Sequence, residues 1–166
     1  MKKEILFKKT SKYISITAYL IARLRFSDIN QKVSYLELDI PFVDFGKEIR
    51  AKLSESKEVA DEVFMYYYNH LEEMRKFTQH EEKKVMETYG YKNKTSLYKD
   101  TIFLIIKVNN DMLYIEPCHN YSLGSFTSVK DENKKAIKFE YPLTISDEEL
   151  GKATMEAFEY CTSIYR

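Results

Sequence analysis

Two segments near the start of the chain alternate between hydrophobic and polar positions. Apolar residues occupy every second position over 13–21, and the same alternation recurs over 33–40. A period of two residues is typical of a strand with one buried face. The pattern therefore predicts strands at 13–21 and 33–40, the second of them closed by Pro41. For the first segment, a helix running on to Arg25 is the alternative.

The period changes to three and four residues between Lys57 and Phe77. This is the period of an amphipathic helix, so we expect one long helix over 57–77. A second helical segment is predicted over 81–88 and ends at Gly90, because glycine readily adopts the left-handed conformation that closes a helix. The predicted core stripe of the long helix consists of Val59, Val63, Tyr67, Leu71 and Met74.

The second half of the chain has the pattern of an antiparallel meander. Residues 101–108 are apolar on both faces, which is typical of a central strand covered on two sides. The turn-forming run at 109–111 predicts a hairpin to the next strand. A basic connection or short helix over 94–99 precedes the meander, and a polar turn over 130–133 lies within it. Further strands are predicted over 112–117, 121–129 and 136–143.

A closing helix is predicted from Ser146 to the C-terminus. Ser146 has the chemistry of an N-cap, and Glu149 three residues later completes a capping box. Gly151 early in this helix costs about 1 kcal/mol relative to alanine, so we expect a packing reason for it, such as a close approach to the sheet. The apolar stripe of this helix is Leu150, Ala153, Ala157, Cys161 and Ile164.

Together these elements predict an α+β fold. We expect a single domain over residues 1–166, with an antiparallel sheet, a long central helix and a closing C-terminal helix. The chain has 166 residues. A chain of this length buries roughly 70% of its unfolded surface and needs no metal or disulfide in order to fold.

The composition excludes several classes of protein. The 26 basic and 26 acidic residues cancel, which argues against a general nucleic-acid-binding protein, since such proteins carry a basic excess. Cys118 and Cys161 are too few for a disulfide framework, and no apolar run is long enough for a signal peptide or a membrane span. We therefore expect a cytoplasmic protein that does not contact a membrane.

The search for catalytic and metal-binding residues finds no built site. His70 and His80 would point about 80° apart on a helix, which is a poor shared face for a metal. Cys118 and His119 are neighbours at a strand end, where successive side chains diverge. We therefore expect no enzyme activity, no cofactor and no metal.

The alternative is a small RNA-processing enzyme or RNA-binding protein that uses His119 and nearby lysines. A basic strip beside aromatic residues could contact the RNA backbone, although surface lysines more often serve solubility. The candidate lysines are Lys2, Lys3, Lys8, Lys9, Lys12, Lys92, Lys94 and Lys99.

The acidic residues are unevenly placed. Residues 54–74 contain six acidic residues and one base, Lys57, so this segment carries five net negative charges. Apolar and aromatic side chains among carboxylates are typical of a surface that binds a basic protein, although a simple solvated face is the alternative. The predicted binding residues are Glu55, Glu58, Asp61, Glu62, Met65, Tyr68, Glu72 and Glu73.

Three motifs in the second half of the chain occur in the same order as in a known protein family. They are the tyrosine- and lysine-rich stretch at 89–99, the segment Pro117-Cys118-His119, and the helix start Ser-Asp-Glu-Glu-Leu-Gly at 146–151. Over residues 85–166 the chain thereby resembles the CdiI-type immunity proteins of bacterial contact-dependent growth inhibition (CDI) systems.

The resemblance implies a non-enzymatic inhibitor rather than a catalyst. Its partner would be the C-terminal toxin domain of a CdiA-type effector, bound and neutralised in the cytoplasm. Such toxins are often nucleases, so we expect a basic nuclease, with a ribonuclease acting on tRNA as one candidate, and no direct contact of this chain with nucleic acid. A scaffold or adaptor without a toxin partner is a further alternative.

Overall fold

The computed structural model describes residues 1–166 and contains ten strands and five helices. One turn of 3-10 helix follows the last α-helix, at Phe158–Tyr160. The elements in chain order are β1 (Lys2–Lys9), β2 (Ile14–Ile21), β3 (Arg25–Ser27), β4 (Ser34–Leu36), α1 (Phe42–Glu55), β5 (Lys57–Glu58), α2 (Asp61–Asn69), α3 (Leu71–Tyr89), α4 (Lys94–Lys99), β6 (Ile102–Asn109), β7 (Met112–Ser122), β8 (Ser125–Ser128), β9 (Phe139–Pro142), α5 (Asp147–Ala157) and β10 (Thr162–Ser163).

All strands belong to one curled, mainly antiparallel sheet. Its central order is β10–β7–β6–β1–β2–β3, with β4 and β5 paired to β2 and with β8 and β9 paired to β7. The α+β prediction is confirmed. The hairpin at 109–111 is also confirmed: β6 pairs with β7, and Asn110 takes the turn with a φ of 56°, a conformation that asparagine tolerates better than most residues.

Helices α1 and α5 cover one face of the sheet. Phe7 of β1 is fully buried there and meets Phe45 of α1 and Phe158 edge to face, each at a ring-centroid distance of 6.0 Å. This face contains the larger core, a cluster of 18 buried residues drawn mainly from the central strands and these two helices. The sequence patterns identified neither α1 nor β1, although both are central to this core.

Two glycines bring α1 and α5 into backbone contact. A Cβ built on Gly151 would lie 2.7 Å from the carbonyl carbon of Phe42, and one built on Gly46 would lie 2.7 Å from the Cα of Asp147. The prediction that Gly151 has a packing reason is thus right, but its neighbour is α1 rather than the sheet. Arg50 reinforces the crossing, because its Nε donates to Asp147 Oδ1 at 2.8 Å.

Several predicted boundaries were wrong. The strand at 33–40 is reduced to Ser34–Leu36, because the chain turns at 37–40, where the Ile40 amide donates to the Glu37 carbonyl. The strand at 136–143 is reduced to Phe139–Pro142. The strand at 121–129 is divided by the turn at Gly124, so its first residues belong to β7 and the rest to β8.

The closing helix begins as predicted but ends early. Ser146 Oγ accepts from the Glu149 amide at 3.1 Å, which confirms the N-cap. The helix stops at Ala157 instead of continuing to the C-terminus, because the chain then turns and Thr162–Ser163 pairs with β7. Ile164, assigned to the buried stripe, is therefore 57% exposed.

The opposite face of the sheet meets α3 and α4 around a small cavity lined by both polar and apolar side chains. Its volume is about 60 Å³, and Lys8 of β1 projects into it beside the hydroxyl-bearing Ser15 and Thr17. Lys8 makes no ion pair, although Glu81 and Glu82 of α3 also line the cavity. Burial lowers the pKa of the Lys8 ammonium below its usual value of 10.5, while the two carboxylates oppose the shift.

We expect Lys8→Met to stabilise the protein by about 1 kcal/mol at pH 7, because it removes a poorly solvated charge without an ion-pair partner. A lowered folded-state pKa means that the unfolded chain binds the proton more tightly. The free-energy cost of the buried Lys8 charge is therefore fully present below the folded-state pKa of Lys8. It disappears as the pH rises toward 10.5.

Urea unfolding of both proteins at pH 7 and pH 10 measures this difference in stability. The advantage of Lys8→Met should shrink at pH 10. Burial raises the pKa of the tyrosines that also face the cavity, Tyr13, Tyr35 and Tyr98, in both proteins alike, so their contribution to the stability cancels in the comparison. Lys92→Met at an exposed position is the control. A variant no more stable than the wild type would show that Lys8 is well solvated.

Candidate functional site

The acidic segment is not one helix. The predicted helix over 57–77 consists of β5, then α2, then the first part of α3, with a break at His70, whose φ is −128° and ψ is 46°. The His70 amide donates to the carbonyl of Tyr67 instead of that of Tyr66. The Tyr66 carbonyl instead accepts a hydrogen bond from the imidazole Nδ1 of His70 at 2.6 Å. This side-chain bond replaces the helical one.

The predicted core stripe of this segment is wrong for the same reason. No residue of α2 is buried, and Leu71, assigned to the core, is 63% exposed at the break. Val63 and Tyr67 are half-buried. We call the corner formed by residues 66–75, where α2 meets α3, the elbow.

A buried serine positions the start of this segment. Ser56 Oγ accepts from the Glu4 amide at 2.8 Å and donates to the Tyr19 carbonyl at 2.7 Å, so it bridges β1 and β2 where the two strands separate. β5 then pairs in parallel with the end of β2. The Ser56 bridge and the pairing of β5 together direct the residues after β5 outward from the sheet.

Helix α2 rests on the sheet edge through aromatic contacts. The Phe26 ring of β3 lies 5.2 Å from that of Tyr67 and 6.2 Å from that of Phe64. Asn30 Nδ2 also donates to the Tyr67 hydroxyl at 2.9 Å. One side of α2 is thereby held by a few contacts, and its other side faces solvent.

The structure distributes the predicted binding residues over four elements. Glu55 ends α1 and pairs with Lys52 at 2.8 Å, and Glu58 lies on β5. Glu72 and Glu73 lie on α3 rather than on the helix that carries the others. The predicted binding residues therefore do not share one helix. The four predicted residues on α2 itself are Asp61, Glu62, Met65 and Tyr68.

Met65 and Tyr68 are exposed, as the pattern predicted. Their exposed fractions are 43% and 59%. Asp61 forms an exposed ion pair with Arg23 at 3.3 Å, which contributes little to stability but partly offsets the negative charge. α2 thus presents carboxylates around two large side chains that no other part of the chain covers.

The sequence patterns missed Tyr66 and Leu71 as surface residues. The Tyr66 hydroxyl donates to Glu73 Oε1 at 3.0 Å, and its ring stacks on His70 at 4.1 Å. The hydrogen bond to the Glu73 carboxylate raises the pKa of Tyr66 above its usual value. A signal was present: three consecutive tyrosines at 66–68 cannot all face one side of a helix.

The candidate lysines do not form one basic strip. Lys8 lies at the cavity, Lys3 Nζ donates to the Ser56 carbonyl at 2.8 Å, and Lys94 pairs with Glu82 at 3.3 Å. Lys12 Nζ is also engaged, by the Tyr89 carbonyl at 2.6 Å. The strip suggested by their positions in the sequence is therefore divided among separate local contacts.

The candidate catalytic pair is similarly separated. Cys118 is buried, and burial raises the pKa of its thiol to about 12, which keeps it protonated at neutral pH. His119 instead contacts Thr162 of β10, with 2.7 Å between Nδ1 and Oγ1. The pair thus lacks the arrangement of an activated thiolate.

No helix of the structure is both long and apolar enough to cross a lipid bilayer.

The fold and the elbow define a small α+β protein with an uncovered surface that mixes carboxylates and aromatic rings. Among such proteins, the chain belongs to the CDI immunity protein family, whose model matches residues 3–161. The match confirms the resemblance found over 85–166 and extends it through the N-terminal half.

Two solved structures share the fold over nearly the whole chain. A protein of unknown function from Neisseria meningitidis matches with a TM-score of 0.86 at 20% identity, covering 97% of this chain and 96% of that one. A chain of the CdiA-CT/CdiI toxin and immunity complex from Yersinia pseudotuberculosis matches with a TM-score of 0.84 at 19% identity, covering 97% and 98%. A comparison with curated proteins found no match.

Proposed function

We propose that this chain binds the C-terminal toxin domain of a cognate CdiA-type effector in the cytoplasm and neutralises it. The observation that carries the proposal is the family match over residues 3–161. The solved toxin and immunity complex from Yersinia pseudotuberculosis, which contains a chain of the same fold, supports it. The inhibition would act by steric block of the toxin's active site or substrate groove, without catalysis.

The acidic surface favours a basic nuclease as the toxin. A nuclease that contacts a phosphate backbone needs a groove lined with lysine and arginine. The carboxylates of α2 and the elbow would occupy such a groove, and the exposed Tyr68 would fill a desolvated pocket at its centre. A ribonuclease acting on tRNA is the specific candidate that we propose.

Purified toxin and this chain should form a stable complex in which the nuclease activity is lost. The test mixes the two at equal concentration and follows cleavage of total tRNA on a gel, with an unrelated nuclease as the control. We expect inhibition of the cognate toxin and no inhibition of the unrelated nuclease. Binding without inhibition would contradict a blocked active site, and absence of binding would contradict the whole proposal.

The alternative function, a small RNA-processing enzyme, predicts that the isolated chain cleaves RNA. We expect instead that the isolated chain cleaves neither RNA nor DNA, because Cys118 and His119 lack the arrangement of a catalytic pair. Incubation of the purified chain with labelled RNA checks this expectation. Cleavage that His119→Ala abolishes would favour the enzyme instead.

A further inference from the structure

The elbow contains an open notch that no part of the chain fills. Its volume is about 690 Å³, and residues 68–73 together with Arg75 line it. Tyr68 and Leu71 form apolar walls, with 59% and 63% of their surfaces exposed. Exposed aromatic and aliphatic side chains beside charged groups are also the composition of protein-binding pockets.

We propose that this notch receives one basic side chain, an arginine or a lysine, from the toxin. The inference rests on the proposed function and identifies the contact at that same surface. The apolar walls suit the methylene stem of such a side chain, and the carboxylate of Glu73 at the rim suits its charged end.

The chain's own Arg75 demonstrates the chemistry of this rim. Its guanidinium forms an ion pair with Glu72 from the next turn of α3, and both side chains are more than 60% exposed. Glu73 has only one internal partner, the Tyr66 hydroxyl on Oε1, so its second oxygen is available. An incoming basic group would therefore find an acceptor without breaking an internal ion pair.

The notch is braced before any partner arrives. Tyr66 on α2 stacks on His70 at the break and donates to Glu73 on α3, so one side chain connects all three parts of the elbow. A carbonyl only accepts hydrogen bonds, so His70 Nδ1 carries the proton in its contact with Tyr66. This bracing fixes the Glu73 carboxylate, which lowers the entropic cost of binding.

Charge exchange between the two proteins tests the proposal. Glu73→Lys should weaken toxin binding at least tenfold, and one arginine- or lysine-to-glutamate variant of the toxin should restore most of the affinity. Tyr66→Phe keeps the ring stack but frees Glu73, and should weaken binding about threefold. Glu87→Lys, exposed near the other end of α3, is the matched control and should stay within twofold of wild type.

Calorimetric titration of each pair, with melting curves to verify folding, gives the answer. The notch proposal fails if Glu73→Lys and the milder Glu73→Gln both bind within twofold of wild type. It also fails if many toxin variants each restore a little affinity, which would indicate diffuse attraction. In either case wild-type binding would still support the immunity role, whereas no binding by the wild type would overturn both proposals.

Discussion

Gly151→Ala is expected to destabilise the protein by about 3 kcal/mol or more, although alanine is the better helix former by about 1 kcal/mol. The added methyl group would overlap the backbone of Phe42, which cannot rotate away as a flexible side chain could. α1 and α5 would have to separate, and the core between them would lose contacts. In a chain of this size the melting temperature should fall by roughly 6–12 °C.

Gly90→Ala separates this steric effect from backbone strain. Gly90 has a φ of 76°, but no atom lies within 4 Å of an added Cβ. Its replacement should therefore cost only the left-handed strain of about 1–2 kcal/mol. Thermal and urea unfolding of both variants measure the two costs. A Gly151→Ala variant as stable as the wild type would show that the two helices can shift apart freely.

Reversal of three charges on α2 and β5 should slow toxin association about tenfold at low salt. The variants are Glu58→Lys, Asp61→Lys and Glu62→Lys, combined in one protein. Long-range attraction accelerates encounter, so its removal should also flatten the salt dependence of the association rate. Reversal of the exposed Glu132, Glu156 and Glu159, which lie in other parts of the chain, is the control and should leave the rate nearly unchanged.

Tyr68→Ala should instead accelerate dissociation of the complex with the toxin. An aromatic anchor at the centre of an interface contributes roughly 2 kcal/mol or more, which corresponds to about 30-fold faster release. Tyr121→Ala, with a similarly exposed ring on β7, is the matched control. Surface plasmon resonance at two salt concentrations resolves both rates. If neither the charge reversals nor Tyr68→Ala changes a rate, the interface lies on the sheet or its loops.

The sequence predicted the elements whose patterns are long and locally consistent. β2 and β6 carry many apolar positions, and Ser146 marks the start of α5 clearly. β1 was missed because only Ile5–Phe7 is buried, between charged residues at both ends. α1 was missed because its stripe includes a buried lysine, Lys52, which gains its partners only in the folded chain.

The exposure of the candidate surface could be predicted from the sequence, but its shape could not. The exposure of Tyr68 and Met65 follows from their positions off the apolar stripe. The break at His70 could not be predicted from periodicity, because apolar positions continue across it to Leu71. The break depends on an imidazole replacing a backbone donor, and such a local competition leaves no trace in the hydrophobic pattern.

The absence of buried residues in α2 has a consequence for how this protein can change over generations. Most substitutions in a core reduce stability and are removed when the protein falls below its folding threshold. α2 contributes no buried side chain, so its exposed positions can be replaced at little cost to folding. A lineage could therefore alter α2 to follow a mutating partner while the glycine-packed helices and the sheet stay as they are.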